Sequence, residues 1–148
     1  MISEPKREYV QSWLIKAQND LSAAKKLAAE PDPILDSAIY HCQQSSEKAI
    51  KAFLVFHDTR FDKTHNINAL LLLAKRHETS FTDWFDTAEL LTPYATKFRY
   101  PEIILYPSKQ EVKTAIDAAE NLYNFVLSLL PPSTHPQKSK RRSQPKRK

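Results

Sequence analysis

No glycine occurs anywhere in this chain, although ten of its 148 residues are proline. Glycine takes positive φ without penalty and lets a backbone approach phosphate closely, so a Rossmann turn and a P-loop are both excluded. The chain must instead be built from elements whose connections tolerate proline. At this length one domain with a substantial core is expected. The single cysteine, Cys42, excludes an internal disulfide and a cysteine-built metal site.

Hydrophobic periodicity supplies those elements. Trp13, Ala17, Leu21, Ala24 and Ala28 recur at three- and four-residue spacing, with Lys16, Asn19, Asp20 and Lys25 on the other face, predicting a helix over about residues 6–29. EPDP at 30–33 ends it, with Asp32 as N-cap and Pro33 opening the next helix. That second helix runs to about His57 on the apolar face Leu35, Ala38, Ile39, Cys42, Ala49, Ile50, Phe53 and Leu54. A third follows Asn66, a fourth carries Phe81 to Leu91 before Pro93, and a last one starts from the capping box SKQE at 108–111 and stops at Pro131. With no alternating strand pattern, the expected fold is an all-α, up-and-down bundle of four to five helices.

The charge is unevenly placed. The net charge is +5, yet residues 131–148 hold seven Lys and Arg and no acid, leaving 15 basic against 17 acidic residues in 1–130. Residues 1–130 therefore read as a mildly acidic folded domain and 131–148 as a disordered basic tail. Such a tail can bind nucleic acid through counterion release, keep the protein soluble or dock a partner. No long apolar run and no signal-peptide pattern at Met1–Val10 is present, so a soluble, cytoplasmic protein without a membrane segment is expected.

Two stretches carry candidate chemistry. In YHCQQSSEKAIKAF, His41, Gln44, Lys48 and Lys51 fall at intervals of three, four and three, forming a polar stripe flanked by Glu47. The stripe is either a solvated face with a Glu47–Lys51 pair or a phosphate-attracting surface. In KFRYPEIILYP, Tyr100 precedes Pro101 and is pushed towards extended backbone, breaking the helix. There Arg99 either satisfies carbonyls at a helix end, or meets a phosphate together with Lys97 while Tyr100 stacks on a base.

Four stretches resemble one family, the HEPN domains, named for higher eukaryotes and prokaryotes nucleotide-binding. WLIKAQNDLSAAKKLA is similar to the family's opening helix, YHCQQSSEKAIKAFL to its Gln-rich second, FDKTHNINALL to the Thr-His start of its third, and LLTPYATKFRYPE to the segment before its last long helix. The resemblance covers about residues 9–129 in order. It implies a homodimer with a cleft on the two-fold axis and a minimal nucleotidyltransferase as partner, in a prokaryotic toxin–antitoxin or defence system. It calls for no metal and no cofactor.

Many HEPN proteins cut RNA with an arginine followed, four to six residues later, by a histidine. Family placement selects Arg99, and the positions that would hold histidine are Ile104, Leu105 and Tyr106. RFDKTH at 60–65 has the spacing, but it lies between the second and third helices. There Arg60 reads as a loop cation, Thr64 or Asn66 as a cap, and His65 as packing or hydrogen-bonding across to the second helix.

Metal-free cleavage needs an activated 2′-hydroxyl, stabilised phosphoryl oxygens and a proton for the leaving group. Arginine meets the second need, whereas the proton transfers favour imidazole over an ordinary phenol of pKa about 10. His41, His65 and Tyr106 are therefore the candidate bases beside Arg99. The expectation is a nucleotide- or RNA-binding protein using Gln44, Lys48, Lys51, Lys97, Arg99 and Tyr100. The alternatives are a metal-independent endoribonuclease using Arg99 with a non-standard base, and a structural protein-interaction module.

Overall fold

The computed structural model describes residues 2–101 and 104–137. Its α-helices are α1 (Glu4–Ala28), α2 (Leu35–Phe56), α3 (Ile67–Ala74), α4 (Phe85–Leu91) and α5 (Lys109–Leu129). Short 3-10 turns lie at Thr79–Trp84, Thr92–Ala95 and Pro132–Thr134, and no strand occurs among the described residues. The fold is the expected all-α bundle. None of the described helices is long and apolar enough to cross a membrane.

Helix α2 is the hub, packing against α1, α3, α4 and α5. It runs antiparallel to α1: the Ile34 N–H donates to the Leu27 carbonyl at 2.7 Å at one end, and the Ser45 hydroxyl donates to the Ala17 carbonyl at 2.8 Å farther along. Val10, Leu14, Ala17, Leu21 and Ala24 form the buried stripe of α1, meeting Ala38, Ile39, Cys42, Ala49, Ile50, Phe53 and Leu54 of α2. Helix α5 closes the core with Val112, Ala115, Ala119, Leu122 and Val126. Each large apolar side chain taken fully from water contributes about 1.5–3 kcal/mol. Cys42 belongs to this core, where burial pushes its thiol up to about 12 and leaves it protonated.

Helix starts are fixed by local caps. Ser3 accepts from the Lys6 N–H, Asn66 from the Ala69 N–H at 3.3 Å and Ser108 from the Glu111 N–H at 3.0 Å. The Glu111 carboxylate does not complete a capping box; it accepts the Tyr94 hydroxyl at 2.7 Å and ties the Thr92–Ala95 turn to α5. Burial, and then this carboxylate, raise the pKa of the Tyr94 phenol. Tyr94 in turn stacks on Phe98, which seats the segment carrying Arg99.

Three boundaries differ from the periodicity. Asp32 does not cap α2: it takes a left-handed φ of 59°, the Ile34 N–H is spent on Leu27, and the helix begins at Leu35 with Ile34 as an N-cap lacking a side-chain bond. The fourth segment is a 3-10 turn leading into α4. The folded chain also continues past Leu130. Thr134 is buried, Arg7 and Gln11 of α1 donate to the carbonyls of Ser133 and His135, and the His135 ring meets the Leu127 and Leu130 carbonyls at 2.9 and 3.1 Å. An imidazole N–H thus reaches the Leu130 carbonyl, which the end of α5 would leave orphaned, and joins the Leu130 N–H at the Leu127 carbonyl. The basic residues expected at 138–148 lie outside the described residues.

At the C-cap of α2 the His57 ring stacks on His77, centroids 4.5 Å apart and planes 14° apart, and leans on Phe53 at 4.4 Å. Burial, then the neighbouring His77 and Lys6, lower the pKa of His57 from its ordinary 6.5, with Asp58 opposing them. Below that value the unfolded chain binds the proton more readily than the folded one. The His57 contribution is therefore whole above about pH 6.5 and is lost as pH falls through the folded pKa. Urea midpoints measured from neutral to mildly acidic pH should fall less steeply for His57→Gln than for the wild type.

Candidate functional site

Asp20 is the centre of the outer cluster. Its position continues the buried stripe of α1, three residues after Ala17 and four before Ala24, so an acid sits where packing expects an apolar side chain. Being buried, it needs compensation, and α2 supplies it: Oδ1 meets His41 Nδ1 at 2.8 Å and Oδ2 meets Lys48 Nζ at 2.6 Å. Nδ1 is thus engaged by Asp20, and the His41 side chain, 31% exposed, keeps Nε2 for another partner.

Arg99 reaches the same place from the other side. The turns after Pro93, with the Arg99 N–H donating to the Thr96 carbonyl at 3.0 Å, aim its guanidinium over the Tyr40 ring, 3.8 Å from the centroid. Tyr40 meets His41 edge to face at 5.6 Å. Arg99, Tyr40, His41, Asp20 and Lys48 thus form one continuous array. Beside it Arg99 lines a 140 Å³ cleft with Asp36, Ser37 and Phe98, and a 180 Å³ cleft in which Tyr100 and Tyr106 stand exposed.

A second, inner cluster forms on Glu47. This carboxylate, 5% exposed, accepts from Lys51 Nζ at 2.8 Å, pairs with His65 Nδ1 at 2.8 Å and accepts from Gln43 Nε2 at 3.2 Å. Burial pushes the Glu47 carboxyl up, but the bonds from Lys51, His65 and Gln43 outweigh it and hold the pKa below the ordinary value. The Lys51 ammonium is enclosed by Trp13 and Phe61, 5.6 and 5.5 Å from the ring centroids. Gln44 donates to Gln43, which donates to the His65 carbonyl.

The polar stripe therefore divides. His41 and Lys48 reach the outer array, whereas Gln44 and Lys51 are buried in the inner cluster, because α1 and the loop after α2 cover that part of the helix. The Glu47–Lys51 pair exists but is interior. His65 takes its place on Glu47, seven residues along α2 from Tyr40, or about 10 Å of helix axis. Within the chain the fold consequently brings His41 and Tyr106 to the Arg99 end and leaves His65 apart. Lys97 is exposed, its ammonium 5.2 Å from the Phe98 ring centroid. Asp20 and Tyr40 are the residues that periodicity missed. The spacing sets Asp20 on the polar face of α1, and the fold instead buries it against His41 and Lys48; Tyr40, placed by a cation from a distant loop, had no signal in the sequence. Among the described residues, no three His, Cys, Asp or Glu side chains gather in a group that could hold a metal ion.

The chain has relatives in sequence and fold. The HEPN domain model matches residues 10–129, a span that includes Asp20, His41 and Arg99. The crystal structure of an archaeal HEPN homologue is similar to the chain at 25% sequence identity, with a TM-score of 0.66 over 81% of this chain and 96% of that one. No curated protein matches the chain in sequence. With the expected helices in order and a family match across most of its length, the chain belongs to the HEPN domain family.

Proposed function

We propose that this HEPN protein binds nucleotide or RNA at the Arg99 end of the outer array, as a component of a nucleotidyltransferase-linked toxin–antitoxin or defence system. The observation that carries the reading is the convergence of Arg99, Tyr40 and the Asp20-held His41 from three separate segments. A guanidinium offers a planar fork of donors to phosphate. His41, held by Asp20, stands edge to face with Tyr40, and the exposed rings of Tyr100 and Tyr106 offer faces to a base.

Asp20 also supports a second reading, metal-independent endoribonuclease activity. A carboxylate on Nδ1 orients an imidazole and stabilises its protonated form, which is what a general base or acid requires. His41 would then fill the role of the histidine absent after Arg99. A homodimer and a minimal nucleotidyltransferase partner complete the proposal on the strength of family membership.

The test is fluorescence anisotropy with labelled RNA in EDTA, run beside a cleavage assay on the same samples. Arg99→Ala should weaken binding about ten- to hundredfold, the worth of a charge-assisted hydrogen bond. Cleavage lost in both Arg99→Ala and His41→Ala would establish the nuclease reading. Wild-type protein that neither binds nor cuts, yet elutes with a co-expressed nucleotidyltransferase, would leave a protein-interaction module.

A further inference from the structure

Another cleft opens where the first turns of α1 meet the end of α2. It has a volume of about 630 Å³ and is lined by Lys6, Tyr9, Val55, Thr59 and Arg60, with Asp58 as its acid. Tyr9 is 55% exposed and Arg60 is exposed, while Lys6 is bonded to Asp58 at 2.9 Å. Arg60 thus has a setting that its place in a loop did not suggest.

The register of the two helices joins this cleft to the Arg99 end. On α1, Tyr9, Trp13, Lys16 and Asp20 follow at intervals of four, three and four, which places them on one face. Because α2 runs antiparallel, Val55 and Thr59 stand by Tyr9, Lys51 by Trp13, and Lys48 with His41 by Asp20. Aromatic rings bridge the first part of this path: Tyr9 lies 6.4 Å from Trp13, and Trp13 lies 6.2 Å from Phe61. From Tyr9 to Asp20 the path covers about 16 Å of helix axis.

We infer that a single RNA strand bound at the Arg99 end continues over the outer face of α1 and α2, past His41, Lys48 and the exposed Lys16, to a second contact, where Tyr9 stacks on a base and Arg60 meets a phosphate. This rests on the RNA reading of the Arg99 end. Exposed aromatic faces interleaved with cations are what sequence-tolerant binding of single strands uses, because every base has a π-face and every linkage a charge. A rigid protein surface would gain little from one protruding ring beside an open cleft, whereas a flexible strand can thread both ends.

The experiment compares an octauridylate with a diuridylate on the wild type, on Tyr9→Ala/Arg60→Ala and on Arg99→Ala, with circular dichroism as a check on folding. Both substituted residues of the double variant are exposed, so its fold should persist. The double variant should bind the octanucleotide at least about tenfold more weakly, as expected from one lost stack, and the dinucleotide within about twofold of the wild type. Arg99→Ala should weaken both. Octanucleotide binding that survives in the double variant but is lost in Arg99→Ala would overturn the strand path and keep the Arg99 site. Equal wild-type affinity for the two lengths would overturn the path as well. No binding of either oligomer to the wild type would remove the Arg99 reading and the path together.

Discussion

Glu47→Ala should lower the free energy of unfolding by about 3–5 kcal/mol, measured by urea denaturation at neutral pH. The size follows from what remains. The Lys51 side chain is 9% exposed and its ammonium is enclosed by Trp13 and Phe61, so it cannot turn to water once its carboxylate is gone. Gln43 loses an acceptor and His65 its partner at the same time. Removing both charges should cost much less. A buried pair is often replaced by apolar residues with little loss, so Glu47→Ala/Lys51→Met should recover a large part of the deficit, and the cycle of single and double variants would give the coupling. A deficit below about 1 kcal/mol for Glu47→Ala would show that Lys51 finds water or another acceptor, contrary to its enclosure.

The same carboxylate sets an acid limit. Its pKa is below the ordinary 4.5 in the folded protein because the bonds from Lys51, His65 and Gln43 outweigh burial. The folded state therefore holds its proton less tightly than the unfolded one. Its contribution is present above about pH 4.5 and is lost as pH falls through the folded pKa, so acid unfolding should be steeper in the wild type than in the double variant. There is also a functional consequence, since Glu47 holds His65 and Lys51 meets Phe61, fixing the loop that carries Arg60.

How far the sequence foretold this depends on the range of each interaction. Ser108 was legible as a cap, and Asn66 as one of two candidates with Thr64, because a cap is a bond three residues long, written in consecutive letters. Asp32 failed as a cap because its competitor, the Leu27 carbonyl, lies in the preceding helix. Periodicity identified the α2 stripe but not which part faces water. Lys48 stays at the surface and Lys51 is buried three residues later, and the difference is made by Trp13 and Phe61, which are distant in sequence. The spacing in RFDKTH proved uninformative for a related reason: His65 turns to Glu47, while Arg60 turns to the cleft beside Tyr9. Arg99 was selected by resemblance, and only the fold shows that its neighbour is Tyr40, on the helix that also presents His41 to Asp20.

Phe53→Ala should destabilise the fold by about 3–5 kcal/mol, again by urea denaturation. Phe53 is 1% exposed and lies at the meeting of α2 with the Thr79–Trp84 turn, its ring 4.7 Å from Phe81 and 4.4 Å from His57. Phe81 continues to Phe125 of α5 at 5.1 Å, and Trp84 closes on the same ring at 4.9 Å. Truncation thus opens a cavity between three segments, none of which can collapse into it without pulling away from the next. Phe53→Leu should cost less, because it keeps most of the apolar volume. The Arg99 end is anchored separately, through Tyr94 on Glu111 and Arg99 on Tyr40. While the variant remains folded, its affinity for a short RNA should therefore match the wild type. A parallel loss of stability and affinity would mean that the aromatic core and the Arg99 end behave as one cooperative unit, and that the Tyr94–Glu111 tie does not hold the site by itself.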